Sequence, residues 1–179
     1  GSIPENYDRF LGPRIFYGYA DDLASRVGRL QPMSVLELAA GTGILSERLR
    51  KRLPGNCALT VTDLNSPMLA LAESKLLGSR GTFFEVADAT ELPYASDSLD
   101  VVVCQFGVMF FPDKPGSYQQ VSRVLKSAGH YMFSVWGPWA QNPFARIAHE
   151  VVTGFFPGDP PGFYKVPFSY CDSAVIESS

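Results

Sequence analysis

The sequence is poor in the residues that build several common kinds of site. It has three cysteines, Cys57, Cys104 and Cys171, which are far apart and form no CxxC pair. An odd number of scattered cysteines argues against both a disulfide framework and a zinc site. Cys104 lies within an apolar run, where a cysteine acts as a small buried hydrophobe. We therefore expect a reducing, cytoplasmic location and no metal.

The chain also lacks long apolar runs and blocks of positive charge. No apolar stretch reaches the ~18 residues of a membrane span, and no signal-like segment is recognisable. The formal net charge is −3 at pH 7, without a run of Lys or Arg. Because nucleic-acid binding draws mainly on clustered positive charge, we expect neither nucleic acid nor a membrane as a partner.

Apolar side chains are abundant, at 46% of the 179 residues, which is enough for a buried core. Short apolar runs rich in β-branched and aromatic residues alternate with segments of helical periodicity. The runs cover residues 34–39, 58–63, 82–88, 99–106 and 130–136. Their apolar residues are mostly consecutive, which is typical of strands buried on both faces of a parallel sheet.

Helical patterns fill the intervals between these runs. Ser66 followed by Pro67 predicts an N-cap and a first helical position. A later helix is expected to include Leu125 and to stop at Gly129. Strands that alternate with helices imply right-handed βαβ units. We therefore predict a Rossmann-like, doubly wound α/β fold with a mostly parallel sheet.

The first apolar run leads into a glycine-rich turn in VLELAAGTG, residues 35–43. Glycine between a strand and a helix lets a ligand approach the backbone, although a plain tight connection can have the same composition. A P-loop requires GxxxxGK[ST], and no lysine follows Gly43. A dinucleotide fold requires GxGxxG, and Ser46 replaces its third glycine. A nucleoside without phosphates is the third candidate.

Acidic residues stand near the ends of the first three apolar runs. Glu37 precedes the turn, Asp63 lies 20 residues after Gly43, and Asp88 ends the third run. An acid after the second strand can accept ribose hydroxyls, and one after the third can reach an adenine amino group. Each alone could be a helix cap or a turn residue. Together they favour a nucleoside site, because ligands of open α/β sheets bind at the carboxyl ends of the strands.

Four stretches resemble, in their order and spacing, the motifs of class I S-adenosylmethionine-dependent methyltransferases. They are VLELAAGTG, VTDLN, VADATELPYASDSLDVVVCQFGVMFFPD and LKSAGH. The closest branch is the small-molecule group related to ubiquinone/menaquinone-biosynthesis methyltransferases. The resemblance runs from about Tyr7 to Phe168. One departure is Ala39, where the family has the first glycine of the turn. An alanine fits there if its backbone is not left-handed.

The resemblance implies S-adenosylmethionine as the cofactor and S-adenosylhomocysteine as its product. Glu37 would reach the methionine amino group, Asp63 would hold the ribose, and Asp88 with Ala89 would read the adenine edge. The turn would carry the methionine part. The expected cofactor-binding residues are Glu37, Ala39, Gly41, Gly43, Asp63, Leu64, Met68, Asp88, Ala89, Gln105, Phe106 and Tyr19.

The N-terminal stretch YDRFLGPRIFYGYA resembles the lid helix of the family. Tyr7 or Tyr19 would close over the sulfonium, because an aromatic face stabilises a cation; core packing is the alternative role of both. Aromatic residues are also frequent after the fifth apolar run, and an apolar acceptor would suit such walls. The expected substrate-binding residues are Tyr7, Trp139 and His149.

We therefore expect an enzyme that transfers a methyl group to a small, apolar or aromatic molecule. This in-line displacement needs mainly orientation and desolvation from the protein, so no catalytic base is assigned. Two alternatives stay open: an NAD(P)-dependent oxidoreductase, and a catalytically inactive module that binds S-adenosylmethionine for regulation. The first shares the fold but requires the glycine that Ser46 replaces.

One domain is expected over residues 1–179, with a lid helix at about 5–28, a core at about 34–136 and an acceptor-side insertion at about 137–170. In the family, a final antiparallel hairpin pairs with the fifth strand. Only five strands are recognisable here, so we expect a domain truncated at its C-terminus that lacks the β6–β7 hairpin. The fifth strand would then be an exposed edge or be covered by a partner chain, as in a homodimer.

Overall fold

The structure, a computed structural model, describes residues 3–156 and 162–178. At its centre is a sheet with the strand order β3-β2-β1-β4-β5, in which every neighbouring pair is parallel. The predicted doubly wound α/β fold is confirmed. Residues 157–161 of the expected insertion lie outside the described residues. The strands are β1 Ser34–Glu37, β2 Ala58–Asp63, β3 Thr82–Val86, β4 Leu99–Gln105 and β5 Leu125–Ser134.

Helices cover both faces of the sheet. The N-terminal region is one continuous helical run, made of α1 Ile3–Asn6, a π-helical segment Tyr7–Phe16 and α2 Tyr17–Arg29. No helix of the described part is long and apolar enough to cross a membrane. The remaining helices are α3 Ile44–Arg52, α4 Ser66–Lys75, α5 Lys114–Val124, α6 Pro143–Thr153 and α7 Ser173–Glu177, and short 3₁₀ turns cover Val108–Phe110, Trp139–Gln141 and Gly162–Phe168.

The consecutive apolar residues of the strands divide between two cores, one on each face of the sheet. Val35 and Val101 pack with residues of α2 and α3, such as Val27 and Leu49. Their neighbours along the strands, among them Leu36, Val102 and Cys104, pack on the other face with residues of α5. Successive side chains of a strand point to opposite faces, so a strand covered on both sides is apolar throughout.

Two local predictions are wrong. The N-cap of α4 is Asn65 rather than Ser66, because the Asn65 side chain accepts a hydrogen bond from the Met68 N–H at 3.1 Å. The segment around Gly129 belongs to β5 and not to a helix end. There, Leu125 already pairs with Leu99, and the register shifts by a bulge before the pairing resumes further along.

The order of the strands defines where a ligand can bind. β1 lies between β2 and β4, so the chain leaves β1 toward one side of the sheet and leaves β4 toward the other. The two connections diverge and open a crevice outside the carboxyl ends of these strands, the usual ligand site of such sheets. All three predicted acids follow or end strands at this edge.

Candidate functional site

A cavity of about 550 Å³ opens at the carboxyl ends of β1 to β4. This volume lies within the range of small-molecule sites, roughly 300–1,000 Å³. Most residues expected from the sequence line it, whereas Gly43, Tyr19, Trp139 and His149 do not. The expected residues that do line it are Tyr7, Glu37, Ala39, Gly41, Asp63, Leu64, Met68, Asp88, Ala89, Gln105 and Phe106.

The turn after β1 passes through left-handed backbone at three alternate positions. The φ angles are 51° at Ala39, 58° at Gly41 and 78° at Gly43. The condition for an alanine at position 39, a backbone that is not left-handed, is therefore not met, although Ala39 lines the cavity as expected. Its conformation is imposed by the next residue, since the N–H of Ala40 donates to the carbonyl of Thr62 at 2.9 Å. A left-handed alanine costs roughly 1–2 kcal/mol, which the surrounding contacts must offset.

The two glycines of the turn have different tasks. A Cβ on Gly43 would lie 2.7 Å from the Cβ of Ala72 on α4, so this glycine allows the turn to pack on the helix. A Cβ on Gly41 would have only the Met68 methyl within 4 Å, at 3.8 Å. Gly41 therefore leaves backbone open toward the cavity, where a ligand can lie against it.

Asp63 connects the turn to the end of β2. One carboxylate oxygen accepts from the Gly41 N–H at 2.7 Å, and the other accepts from the Asn65 N–H at 2.7 Å. An ionised carboxylate has about four acceptor sites, so two remain for other donors. Asp63 thus stabilises the turn and can also accept hydrogen bonds from the hydroxyls of a ligand.

Glu37 is the most unusual group of the cavity, since it is a carboxyl with only 1% of its surface exposed. Its Oε2 atom has no hydrogen-bond partner among the described residues, and neither has the buried Oε1 of Gln105. Burial raises the pKa of Glu37 to about 8; the Ser46 hydroxyl opposes this rise, and the negative charge of Asp63 adds to it. Two unpaired buried acceptors in one cavity suit a ligand that carries a donor, above all a cationic amine.

Asp88 is an exposed carboxyl that also lines the cavity. Its Oδ1 atom accepts hydrogen bonds from the Thr90 N–H at 2.8 Å and the Thr90 hydroxyl at 2.7 Å, and both bonds lower the pKa of Asp88. The carboxylate is therefore ionised and held in place. Exposed Leu64 and partly buried Met68 add apolar surface to the same cavity. A flat ring with an exocyclic amino group would fit between them.

An aromatic wall closes the cavity on the side of the N-terminal helical run. Tyr7 stacks on Phe16 with ring centroids 5.2 Å apart, and both residues line the cavity. They are nine positions apart, which places them on opposite sides of an α-helix with about 3.6 residues per turn. The wider π-helical turns bring both rings onto one face. Burial, followed by the charge of Asp8, raises the pKa of Tyr7 to about 12.

Besides Gly43, three of the expected residues do not line the cavity. Tyr19 contacts the edges of Phe106 and Trp136, at centroid distances of 5.2 and 5.6 Å, but it stays outside the cavity. Trp139 and His149 pack against each other at 5.7 Å, also away from it. Of the two tyrosines proposed to close over the ligand, the structure brings only Tyr7 to the site.

Sequence reasoning assigned no role to Phe110, Phe111 and Pro112, which complete the cavity after β4. The signal was present, because this aromatic pair stands a few residues after the apolar run of β4, within the FFPD motif. The described residues contain no group of three His, Cys, Asp or Glu side chains that could hold a metal ion.

Comparisons with known proteins agree with this geometry. A methyltransferase-domain family matches residues 35–129. The chain is 35% identical over 120 residues to the ubiquinone/menaquinone biosynthesis C-methyltransferase UbiE of Laribacter hongkongensis, covering 64% of this chain and 49% of that protein. It is 31% identical over 150 residues to the demethylmenaquinone methyltransferase of Deinococcus radiodurans, covering 82% of this chain and 62% of that protein. The chain thus spans about half the length of the curated relatives it matches.

Solved structures support the fold. A putative S-adenosyl-L-methionine-dependent methyltransferase from Methanococcus maripaludis superposes with a TM-score of 0.63 at 20% identity, covering 85% of this chain and 68% of that one. The methyltransferase CalH, solved with S-adenosylhomocysteine, gives a TM-score of 0.59 at 19% identity, covering 69% of this chain and 39% of that one. The resemblance to S-adenosylmethionine-dependent methyltransferases that the motifs indicated is confirmed.

The pKa of Glu37 predicts how stability depends on pH. Glu37 titrates at about 8 in the folded chain and near ~4.3 when unfolded. Between these two pH values Glu37 is protonated in the folded chain but ionised in the unfolded chain. The free energy of unfolding therefore falls as the pH rises. Between about pH 4.3 and about pH 8, we expect the free energy of unfolding of the wild type to fall by on the order of 4 kcal/mol more than that of Glu37→Gln. Urea denaturation across this range measures both chains, and equal slopes would contradict the prediction.

Proposed function

The chain belongs to the methyltransferase-domain family, and from this premise we propose that it transfers a methyl group from S-adenosylmethionine to a small, flat, apolar molecule. The observation that carries the proposal is the buried Glu37 carboxyl, unpaired at Oε2, beside a glycine turn that is open toward the cavity. A buried acceptor of this kind needs a donor from the ligand, and the ammonium group of the methionine part provides one.

The residues of the cavity can hold the donor along its whole length. Glu37 would accept from the ammonium group, and Gly41 would let the methionine part lie against the backbone. Asp63 keeps acceptor sites for the ribose hydroxyls beside its bonds to the turn. Asp88 would accept from the adenine amino group, while Leu64 and Met68 pack on the ring.

S-adenosylmethionine, when bound, supplies a methyl group activated by its sulfonium. The chain has to orient the acceptor and exclude water from it. Phe106 forms part of the wall next to Gln105 and is itself held by a nearly parallel stack on Trp136, with centroids 4.1 Å apart. Tyr7 faces the same cavity, where its ring can stabilise positive charge. As the bond from sulfur to the methyl group breaks and the bond to the acceptor forms, the acceptor loses a proton, which passes to solvent; no side chain is assigned as a base.

The acceptor would enter between the aromatic residues that follow β4 and those of the N-terminal run. Phe110 is 56% exposed although it lines the cavity, so it stands at the mouth. The relatives are named for ubiquinone and menaquinone biosynthesis. Flat apolar walls suit a ring of the quinol type, and we infer that the acceptor is such a molecule or a phenol of similar shape. A cytoplasmic location and a homodimer that pairs along the outer edge of β5, which has no strand neighbour among the described residues, are part of the same proposal.

Calorimetric titration tests the donor site. We expect the wild type to bind S-adenosylmethionine and S-adenosylhomocysteine but not NADH. Asp63→Ala should weaken binding roughly ten- to hundredfold, because it removes charged hydrogen bonds to the turn and the ligand. Asp22→Ala, on the exposed face of α2, is the matched control and should bind as the wild type does. Binding of NADH alone would favour an oxidoreductase and overturn the proposal.

Truncation of Phe110 tests the acceptor site. With a demethylmenaquinol analogue as the acceptor, we expect Phe110→Ala to raise the acceptor KM about tenfold, since it removes a large part of an apolar contact. The dissociation constant of the donor should stay within about twofold. Phe83→Ala is the control, because Phe83 has a similar exposure of 58% on β3 and does not line the cavity. Equal KM values in all three chains would refute this placement of the acceptor.

A further inference from the structure

One carboxylate ties the N-terminal helical run to the rest of the cavity. Oδ1 of Asp8 accepts a hydrogen bond from the Thr42 hydroxyl at 2.8 Å, and it forms an ion pair with Nζ of Lys75. Lys75 also lies 3.9 Å from Glu47 on α3. The Asp8 side chain therefore joins the π-helical segment to the glycine turn and to α4.

Each partner of Asp8 belongs to a different wall of the cavity. Asp8 itself follows Tyr7, which lines the cavity and stacks on Phe16. Thr42 lies inside the glycine turn, buried and next to Gly41. Lys75 ends α4, the helix that carries Met68 to the adenine side. The contacts of this single carboxylate thus hold the aromatic wall against the two walls that would grip the donor.

The burial of these contacts makes them stronger than an ordinary surface pair. The side chains of Lys75 and Asp8 are only 17% and 21% exposed. By comparison, the pair between Arg26 and Asp22, farther along the same helical run, is 61% and 62% exposed. Exposed pairs contribute little, whereas removing Asp8 leaves the partly buried Lys75 charge with only the more distant Glu47, at 3.9 Å.

We propose that Asp8 is a positioning residue that clamps the Tyr7–Phe16 segment over the donor and slows its release. The proposal rests on the proposed function, because it concerns the same ligand. The donor would lie beside the rings of Tyr7 and Phe16, which line the cavity, and movement of this segment away from the turn would open that wall and speed release. That movement breaks both contacts of Asp8 together, and the clamp acts through Tyr7 and Phe16 rather than by touching the reacting atoms.

Two measurements on four variants test the clamp. The first is the rate of S-adenosylhomocysteine release, followed by stopped-flow tryptophan fluorescence, since Trp136 stacks on Phe106 in the cavity wall. The second is amide hydrogen exchange of residues 7–16 in the ligand-free chain. The variants are Asp8→Ala, Lys75→Met, the double variant of both, and Asp22→Ala as the matched control.

We expect release to be about tenfold faster in Asp8→Ala and about threefold faster in Lys75→Met, which leaves the Thr42 bond intact. The double variant should release no faster than Asp8→Ala, because both changes break the same clamp. Exchange of residues 7–16 should rise in the same order, and Asp22→Ala should match the wild type in both measurements. Lys75→Met keeps the test valid if Asp8→Ala does not fold.

Three results would overturn the clamp. Release rates equal to the wild type in both single variants would show that Asp8 does not restrain the ligand. Additive effects in the double variant would show that Asp8 and Lys75 act independently, as residues with merely structural roles would. Unchanged exchange of residues 7–16 would show that the segment is held by other contacts. Failure of the wild type to bind S-adenosylhomocysteine would instead overturn the proposed function, and it is recognised before any variant is made.

Discussion

The site depends on the hydrogen bond between the Asp63 carboxylate and the Gly41 N–H. It holds the turn after β1 in a run of left-handed backbone at Ala39, Gly41 and Gly43. This turn directs the open backbone of Gly41 toward the cavity. It also starts α3 at a position where the helix can pack closely on α4. A single carboxylate at the end of β2 therefore links the folding of the first βαβ unit to the shape of the ligand cavity.

The Asp63 hydrogen bond stabilises the ligand-free chain, whereas burial of Glu37 lowers its stability. A carboxyl with 1% exposure and an unpaired oxygen is expensive to keep in a core. Such a cost is typical of functional sites, where a bound partner compensates it. The neighbouring aromatic rings exclude water, which strengthens the attraction between the carboxylate and a cation. The features that weaken the free chain are thus those that would bind the donor.

Most of the fold and of the cavity could be predicted, because strand ends and the residues after them can be read from local patterns. Ala39 could not, since its conformation is set by a bond from Ala40 to Thr62 and by space beside Gly107, where an added Cβ would lie 2.6 Å from that of Ala39. Tyr19 was misplaced because it lies beside the buried face of α2 rather than on it, 52% exposed next to buried Ala20. Phe110 and Phe111 are evident in the sequence, but no characteristic spacing marks them as residues of the cavity.

The most direct test of the central claim is the number of protons released when S-adenosylmethionine binds at pH 7. Calorimetry in buffers of different ionisation enthalpy measures this number. Since the pKa of Glu37 is about 8, the free carboxyl is mostly protonated, and contact with the ammonium group requires it to ionise. The predicted result is a release close to one proton by the wild type and close to none by Glu37→Gln. Tight binding without proton release, or the same release by both chains, would contradict the assignment of Glu37 to the donor.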